Sequence, residues 1–389
     1  MKEAVTVNPQ SYSYRPLEIV PVRSEDEQRG FLRLPWSLYA HDPAWVPPLL
    51  VERRHHLSER NPYFRHATFQ AWIARRGSQA VGRISAQVDQ LHLHRYDDQT
   101  GFFGLIEAQD DPEVFHALFQ TAQRWLREQG MRSVLGPFNL SINDECGLLV
   151  EGYDTPPMIM MGHALPYYPG RIEEQGFTAY RNLLAYRIKT DLVAPASYLK
   201  YAEQVAERVR LRPLRRWKFA EDMAIIKDIF EDAWSNNWGF LPFTTEEFTE
   251  LGKNLKLLVP YDFVRIAEVD GEPAAMMLLF PNINEAIRDL DGRLLPWGWF
   301  KMLWRLKVSG VKTGRVPLMG VRRRFQRSRL SATLALMLIT SLQTSASRRG
   351  IEEVEMSWIL DSNRGMRNII ESLGGEPYKL YRIYQKDIV

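Results

Sequence analysis

The sequence predicts an α/β fold built as two mixed-sheet α/β domains in tandem, and three observations predict it. Strand-like and helix-like runs alternate along the chain. The same order, β-α-α-β-β-β-α-β, is written twice, on either side of a connecting stretch near residues 190–205. A length of 389 residues, 45% hydrophobic and 25% charged, suffices for two globular cores, so the expected domains are 1–190 and 191–389.

In the first copy a strand at 17–22 precedes helices at 24–39 and 48–57. Strands at 69–74 and 79–88 flank the turn Arg75-Arg76-Gly77-Ser78, and 101–107 adds a third. Asp110-Asp111-Pro112-Glu113 then puts acids and a proline into the first turn of a helix that runs to Gly130, followed by a strand at 134–139. The second copy repeats this: a strand at 209–213, helices at 219–234 and 245–257, and strands at 263–268 and 272–280 around Val269-Asp270-Gly271-Glu272. A strand at 317–321, a long helix at 331–348, a strand at 354–360, a helix at 363–372 and a strand at 378–385 complete it.

A formal charge of +3 hides a strong asymmetry. Residues 292–351 contain thirteen Lys and Arg and no acid, whereas the rest of the chain has 37 basic against 47 acidic residues. An anionic ligand is expected at the basic region. The single cysteine, Cys146, allows no internal disulfide and fits a reducing cytoplasm, and it has no evident His partner that would make it a nucleophile. With no apolar leader and no run near ~20 apolar residues, the expected location is cytoplasmic, soluble or peripheral at the inner membrane. His55-His56 and the pair His92 and His94 lack carboxylates at ligand spacing, so no metal is expected.

The chemistry concentrates between the strand at 317–321 and the long helix, in Val321-Arg322-Arg323-Arg324-Phe325-Gln326-Arg327-Ser328-Arg329-Leu330-Ser331. Backbone N–H groups at a helix N-terminus cradle a pyrophosphate, the macrodipole adds attraction, and arginines supply charge-assisted donors. Further on, the strand at 354–360 leads to Asn363, Met366, Ile370, Gly374 and Gly375. Together these segments resemble the GNAT superfamily of acyl-CoA N-acyltransferases, with loop V-x-P-x-x-[QR]-x-x-G-x-[GA] and second segment N-x-x-A-x-x-x-Y-x-x-x-G-F. Gln326 falls on the Gln/Arg position and the Asn363-to-Gly spacing agrees. Arg323, Arg329 and Ser331 replace Pro, Gly and the last small residue, and Ile370 stands where a Tyr often protonates the departing thiolate. Tyr378, Tyr381 and Tyr384 are substitutes for that acid or core residues of a terminal strand.

The resemblance implies acyl-CoA as co-substrate, held by Val321, Arg322, Arg323, Arg324, Gln326, Arg327, Arg329, Ser331 and Asn363, and a primary amine as acceptor. The corresponding junction of the first copy, Glu107-Ala108-Gln109-Asp110-Asp111-Pro112-Glu113, carries four carboxylates that repel a pyrophosphate. One acyl-CoA per chain, in the second copy, is therefore expected.

Three residues are candidates for taking the proton of the amine: Glu145 and His163, in a polar stretch bracketed by apolar strands and methionines, and Glu355, on the strand beside the expected thioester. Each has a structural alternative, a solvated turn carboxylate, a satisfied imidazole and a salt-bridged strand residue respectively. Residues 294–307 interleave three Trp and one Phe with Lys and Arg, which suits either an anionic membrane surface or burial. No nucleic-acid module accompanies this stretch.

A chain of this length with a degenerate first copy is similar to the bacterial tandem GNAT-like N-acyltransferases that include ceramide synthases, implying a lipid amine such as a sphingoid base as acceptor. Two alternatives stay open. One is a small-molecule N-acetyltransferase, and the other a non-catalytic regulator whose basic surface binds an anion or nucleic acid.

Overall fold

The computed structural model describes residues 16–326 and 328–388, so Arg327 lies outside it. The first half runs β1 (Leu17–Pro21), α1 (Glu25–Leu38), α2 (Leu50–His56), β2 (Ala67–Arg76), β3 (Gln79–Asp89), α3 (Gln90–Tyr96), β4 (Thr100–Ala108), α4 (Pro112–Glu128), β5 (Ser133–Gly136), β6 (Phe138–Asn139), β7 (Glu145–Cys146), β8 (Leu148–Glu151), α5 (Tyr168–Glu173) and β9 (Thr178–Lys189). The second runs α6 (Ala196–Val205), β10 (Val209–Pro213), α7 (Phe219–Trp234), α8 (Thr245–Leu258), β11 (Val264–Val269), β12 (Glu272–Pro281), α9 (Ile283–Ile287), α10 (Gly298–Trp304), β13 (Thr313–Val321), α11 (Arg329–Arg348), β14 (Glu353–Leu360), α12 (Arg364–Ser372) and β15 (Glu376–Asp387).

Local chemistry sets these boundaries. Ser24 with Glu27 and Thr244 with Glu247 form reciprocal capping boxes on α1 and α8. Asp111 caps α4, with Pro112 in the first turn where its missing N–H costs nothing. Asp270 and Gly271, both at positive φ, make the tight turn between β11 and β12. The expected single strand at 134–139 is corrected: Pro137 offers no ladder donor, so β5 stops at Gly136 and β6 peels away to pair with β7.

Among the described residues all but two of the strands join one sheet, in the order β1-β2-β3-β4-β5-β15-β9-β14-β13-β12-β11-β10, with β8 against β15. The terminal strands of the two copies are exchanged. Strand β15 lies between β5 (Tyr384↔Gly136) and β9 (Leu380↔Leu184), and β9 pairs in turn with β14 (Val354↔Ile188). Each half keeps its own core, one around Phe103, Phe115 and Phe119, the other around Ile229, Phe230, Met276 and Leu338. Helix α11 is long and apolar enough to match a bilayer, but half of that stretch is buried, and Leu334, Leu338 and Leu342 pack into the second core.

Candidate functional site

Two crevices open where parallel strands part, the place where open α/β sheets accept ligands. In the second half β13 and β14 pair only from Thr313↔Glu353 to Val316↔Met356. Beyond that point β13 stays with β12 as far as Val321↔Ala275, while β14 stays with β9 as far as Leu360↔Leu183, so the two diverge. The divergent strands carry half-buried apolar side chains: Pro317, Leu318 and Met319 on one, Trp358, Ile359 and Leu360 on the other. An extra β13 residue near Val316 and Pro317, opposite β12, adds a bulge at this point.

The first half repeats the crevice and the bulge, with β4 and β5 parting after Phe102↔Leu135 and the extra residue at Leu105 and Ile106. Here the chain occupies the opening itself. The Leu105 N–H donates to Asn139 Oδ1 at 2.8 Å, and Gln87 Nε2 donates to the carbonyls of Phe138 at 2.7 Å and Leu140 at 3.2 Å. A Cβ on Gly104 would fall 1.8 Å from the Phe138 carbonyl oxygen, so only glycine admits this approach. The acidic junction beyond it is internally paired: Glu107 accepts from the Tyr39 and Tyr168 hydroxyls, both at 2.7 Å, and Asp110 from Arg171 at 2.7 Å. Burial holds the Glu107 carboxyl above the usual range.

The basic junction of the second half spans the end of β13 and the start of α11. Gln326 ties it down, donating to Val321 O at 2.8 Å and Ala233 O at 3.2 Å. Arg322 pairs with Asp228, Arg323 with Asp232 at 3.2 Å, and Arg324 with Glu272 at 2.6 Å, carboxylates that come from α7 and β12. Arg324 and Glu272 are both exposed, and such pairs contribute little to stability. Ser328 caps α11 by accepting from the Ser331 N–H, and Arg329 is exposed beside it. Asn363 caps α12, its side chain accepting from the Met366 N–H at 3.2 Å.

Deep in the junction between halves, Arg315 is 1% exposed. Its Nε donates to Ser357 Oγ at 2.7 Å, its Nη1 to Ile159 O at 3.0 Å, and its Nε lies 3.5 Å from Glu355. Glu355 is fully buried, with one oxygen accepting from Ser357 at 2.6 Å and the other from Tyr378. Glu355 is thus the salt-bridged strand residue that its structural alternative described, while its partners Arg315 and Ser357 were not anticipated from the sequence. The signal for them was Arg315 itself, a lone cation followed by apolar residues in what proves to be a strand. Lys379, also buried, donates to Gly152 O and to Thr155 O at 2.7 Å, and burial lowers its ammonium to about 8. Tyr381 and Tyr384 are core residues.

The other two candidate bases differ in their partners. Glu145 gives one oxygen to Arg53 at 2.9 Å and the other to Asn139 at 3.0 Å. Burial pushes its carboxyl up, but Arg53 and Asn139 outweigh this and hold it below the usual range. His163 meets Asp42 through Nε2 at 2.7 Å; a carboxylate only accepts, so Nε2 carries the proton. Its Nδ1 is buried and has no hydrogen-bond partner among the described residues. Burial lowers the imidazole pKa despite Asp42, leaving it neutral with a free lone pair. Asp42 stands in the α1–α2 connection, far from His163 in sequence, which is why the pair was not read.

Two halves with parted strands, each bulged at the same strand and joined through exchanged terminal strands, define a tandem GNAT fold. The tandem GNAT protein from the clavulanic acid biosynthesis pathway matches with a TM-score of 0.57 at 13% identity, over 96% of this chain and 99% of its own. A GCN5-related glucosamine N-acetyltransferase region of a fungal multi-domain GH3 β-N-acetylglucosaminidase matches at 0.55 and 12% identity, over 96% of this chain and 38% of that one. No family model matches. In sequence the chain is 50% identical to Protein YghO of Escherichia coli (strain K12) over 366 residues, 94% of each. It is 44% identical to the bacterial ceramide synthase of Caulobacter vibrioides (strain NA1000 / CB15N) over 373 residues, 95% of this chain and 97% of that one. The chain belongs to the family of these two proteins.

Proposed function

We propose that the protein transfers an acyl group from acyl-CoA to the primary amine of a long-chain lipid, such as a sphingoid base. The Val321–Ser331 junction and the N-terminus of α11 hold the pyrophosphate, and the thioester lies along the open crevice between β13 and β14. The half-buried apolar side chains that line this crevice suit an acyl chain. A neutral amine attacks the thioester carbonyl, the base takes one proton from its nitrogen, and the C–S bond breaks. The departing thiolate takes up one proton, so that amide and CoA thiol leave with no net proton released. The second copy alone binds the donor, because main chain fills the first crevice. A lipid acceptor is reached from the cytoplasm, at the inner membrane.

Among the three candidate bases we assign His163, and one observation carries the choice: its Nδ1 has no partner among the described residues, whereas both oxygens of Glu145 and of Glu355 are engaged. Asp42 is its positioning residue. The acceptor class is supported by the similarity to the Caulobacter vibrioides relative, which is named a bacterial ceramide synthase.

Mass spectrometry of N-acyl products from palmitoyl-CoA or acetyl-CoA, offered with a sphingoid base or a short primary amine, tests the reading. Long-chain amide from wild type, with turnover of His163→Gln down by about 10²–10⁴ at unchanged CoA affinity, is expected. Transfer only to short amines would replace the lipid reading. Retained turnover in His163→Gln would return the role of base to Glu145 or Glu355.

A further inference from the structure

The connection from β12 to β13 leaves the sheet and carries α10. Of eleven large apolar side chains exposed among the described residues, six fall here: Leu295, Trp297, Trp299, Phe300, Trp304 and Val308. Across α10 and the cap before it, Trp297, Phe300 and Trp304 recur at spacings of three and four, which aligns them on one face, and the rings of Phe300 and Trp304 stand 6.1 Å apart. Trp297 is 74% exposed, so this face is not a core face.

The base of the connection is firmly seated on the first half. The Leu50 N–H donates to Gly292 O at 3.0 Å, Arg288 to Pro43 O at 2.6 Å, and Asn284 to Pro157 O at 2.9 Å. It therefore rests on the α1–α2 connection that carries Asp42, and beside Ile159, whose carbonyl Arg315 holds. Cations bracket and interleave this aromatic stretch along the chain. Arg293 and Lys307 are exposed and not ion-paired among the described residues, while Lys301 and Arg305 share the single carboxylate of Asp289. These two cations hold Asp289 well below the usual carboxylate range.

We propose that residues 294–308 form a docking surface for an anionic bilayer, with the aromatic face at headgroup level and Arg293 and Lys307 against lipid phosphates. Charge selects this occupant over a second copy of the chain, since two-fold pairing of this face would set cations against cations. The proposal deepens the lipid-amine reading and rests on it for its purpose: docking brings the inter-half junction to the surface that holds the acceptor.

The test is co-sedimentation of the full chain, without acyl-CoA or amine, with phosphatidylcholine vesicles containing or lacking phosphatidylglycerol. Binding to the anionic vesicles that weakens with salt is expected. The triple variant Trp297→Ser, Phe300→Ser, Trp304→Ser should lose it while binding CoA as wild type does. Asp289→Asn, which releases Lys301 and Arg305, should tighten binding by roughly fivefold. No binding by wild type, or equal binding by the triple variant, overturns the proposal. So does a dimer in light scattering that the triple variant abolishes. Acylation of a detergent-dispersed sphingoid base without vesicle binding would remove the docking surface alone, and vesicle binding without lipid acylation would remove the acceptor reading alone.

Discussion

The two crevices are one design put to opposite uses. Both follow a bulged strand, both open where parallel strands part, and both lead into a helix, yet the first is closed by Phe138–Asn139 and rimmed by carboxylates. The second is lined by half-buried apolar side chains and rimmed by arginines. The difference teaches that repeated topology preserves the opening, while the residues after the parting point decide whether it stays open or is filled by the protein's own backbone.

The comparison breaks most visibly at Gly104. Gly104→Ala drives a methyl group into the Phe138 carbonyl and should cost roughly 3 kcal/mol, the upper end for overpacking, or abolish soluble expression. Urea unfolding measures this, and a wild-type midpoint would mean that the first crevice is not closed as described. Asn139→Ala is the milder version. It strands the Leu105 N–H and should cost about 1–3 kcal/mol without changing CoA affinity.

At the other rim, Arg324→Glu should weaken CoA binding by about 1–3 kcal/mol in calorimetry. Asp110→Lys, the reverse change at the closed site, should create no second CoA site; two sites per chain would show that charge alone separates the copies.

The smallest effect concerns the contact between halves. His66 bridges Asp89 at 3.1 Å and Glu247 at 3.0 Å; burial disfavours its charge, but the two carboxylates prevail and raise its pKa to about 9. Because the folded value lies above the unfolded one, this stabilisation is complete below about pH 6.5 and lost as pH rises through about 9. On the order of 1 kcal/mol after screening, it should appear as a fall in Tm between pH 7 and 10 that His66→Gln lacks.

Much of this was legible in the sequence, because local chemistry dictates it. Capping residues, the Asp270-Gly271 turn and the 3.6-residue periodicity of α7 give element boundaries directly, and the paired segments around Gln326 and Asn363 point to the second crevice. What depends on distant contacts was not legible. Pro137 hinted at a break, but nothing local says that Asn139 will lie along β4, or that Asp42 will find His163. The exchange of β9 and β15 is equally silent, since both read as ordinary amphipathic strands.

That exchange also governs how the protein comes into being on the ribosome. The first half cannot cover the edge of β5 until β15 emerges, after almost the whole second half has been synthesised. Until then the edge of β5 lacks its native cover, and an open strand edge is a template for pairing with other chains.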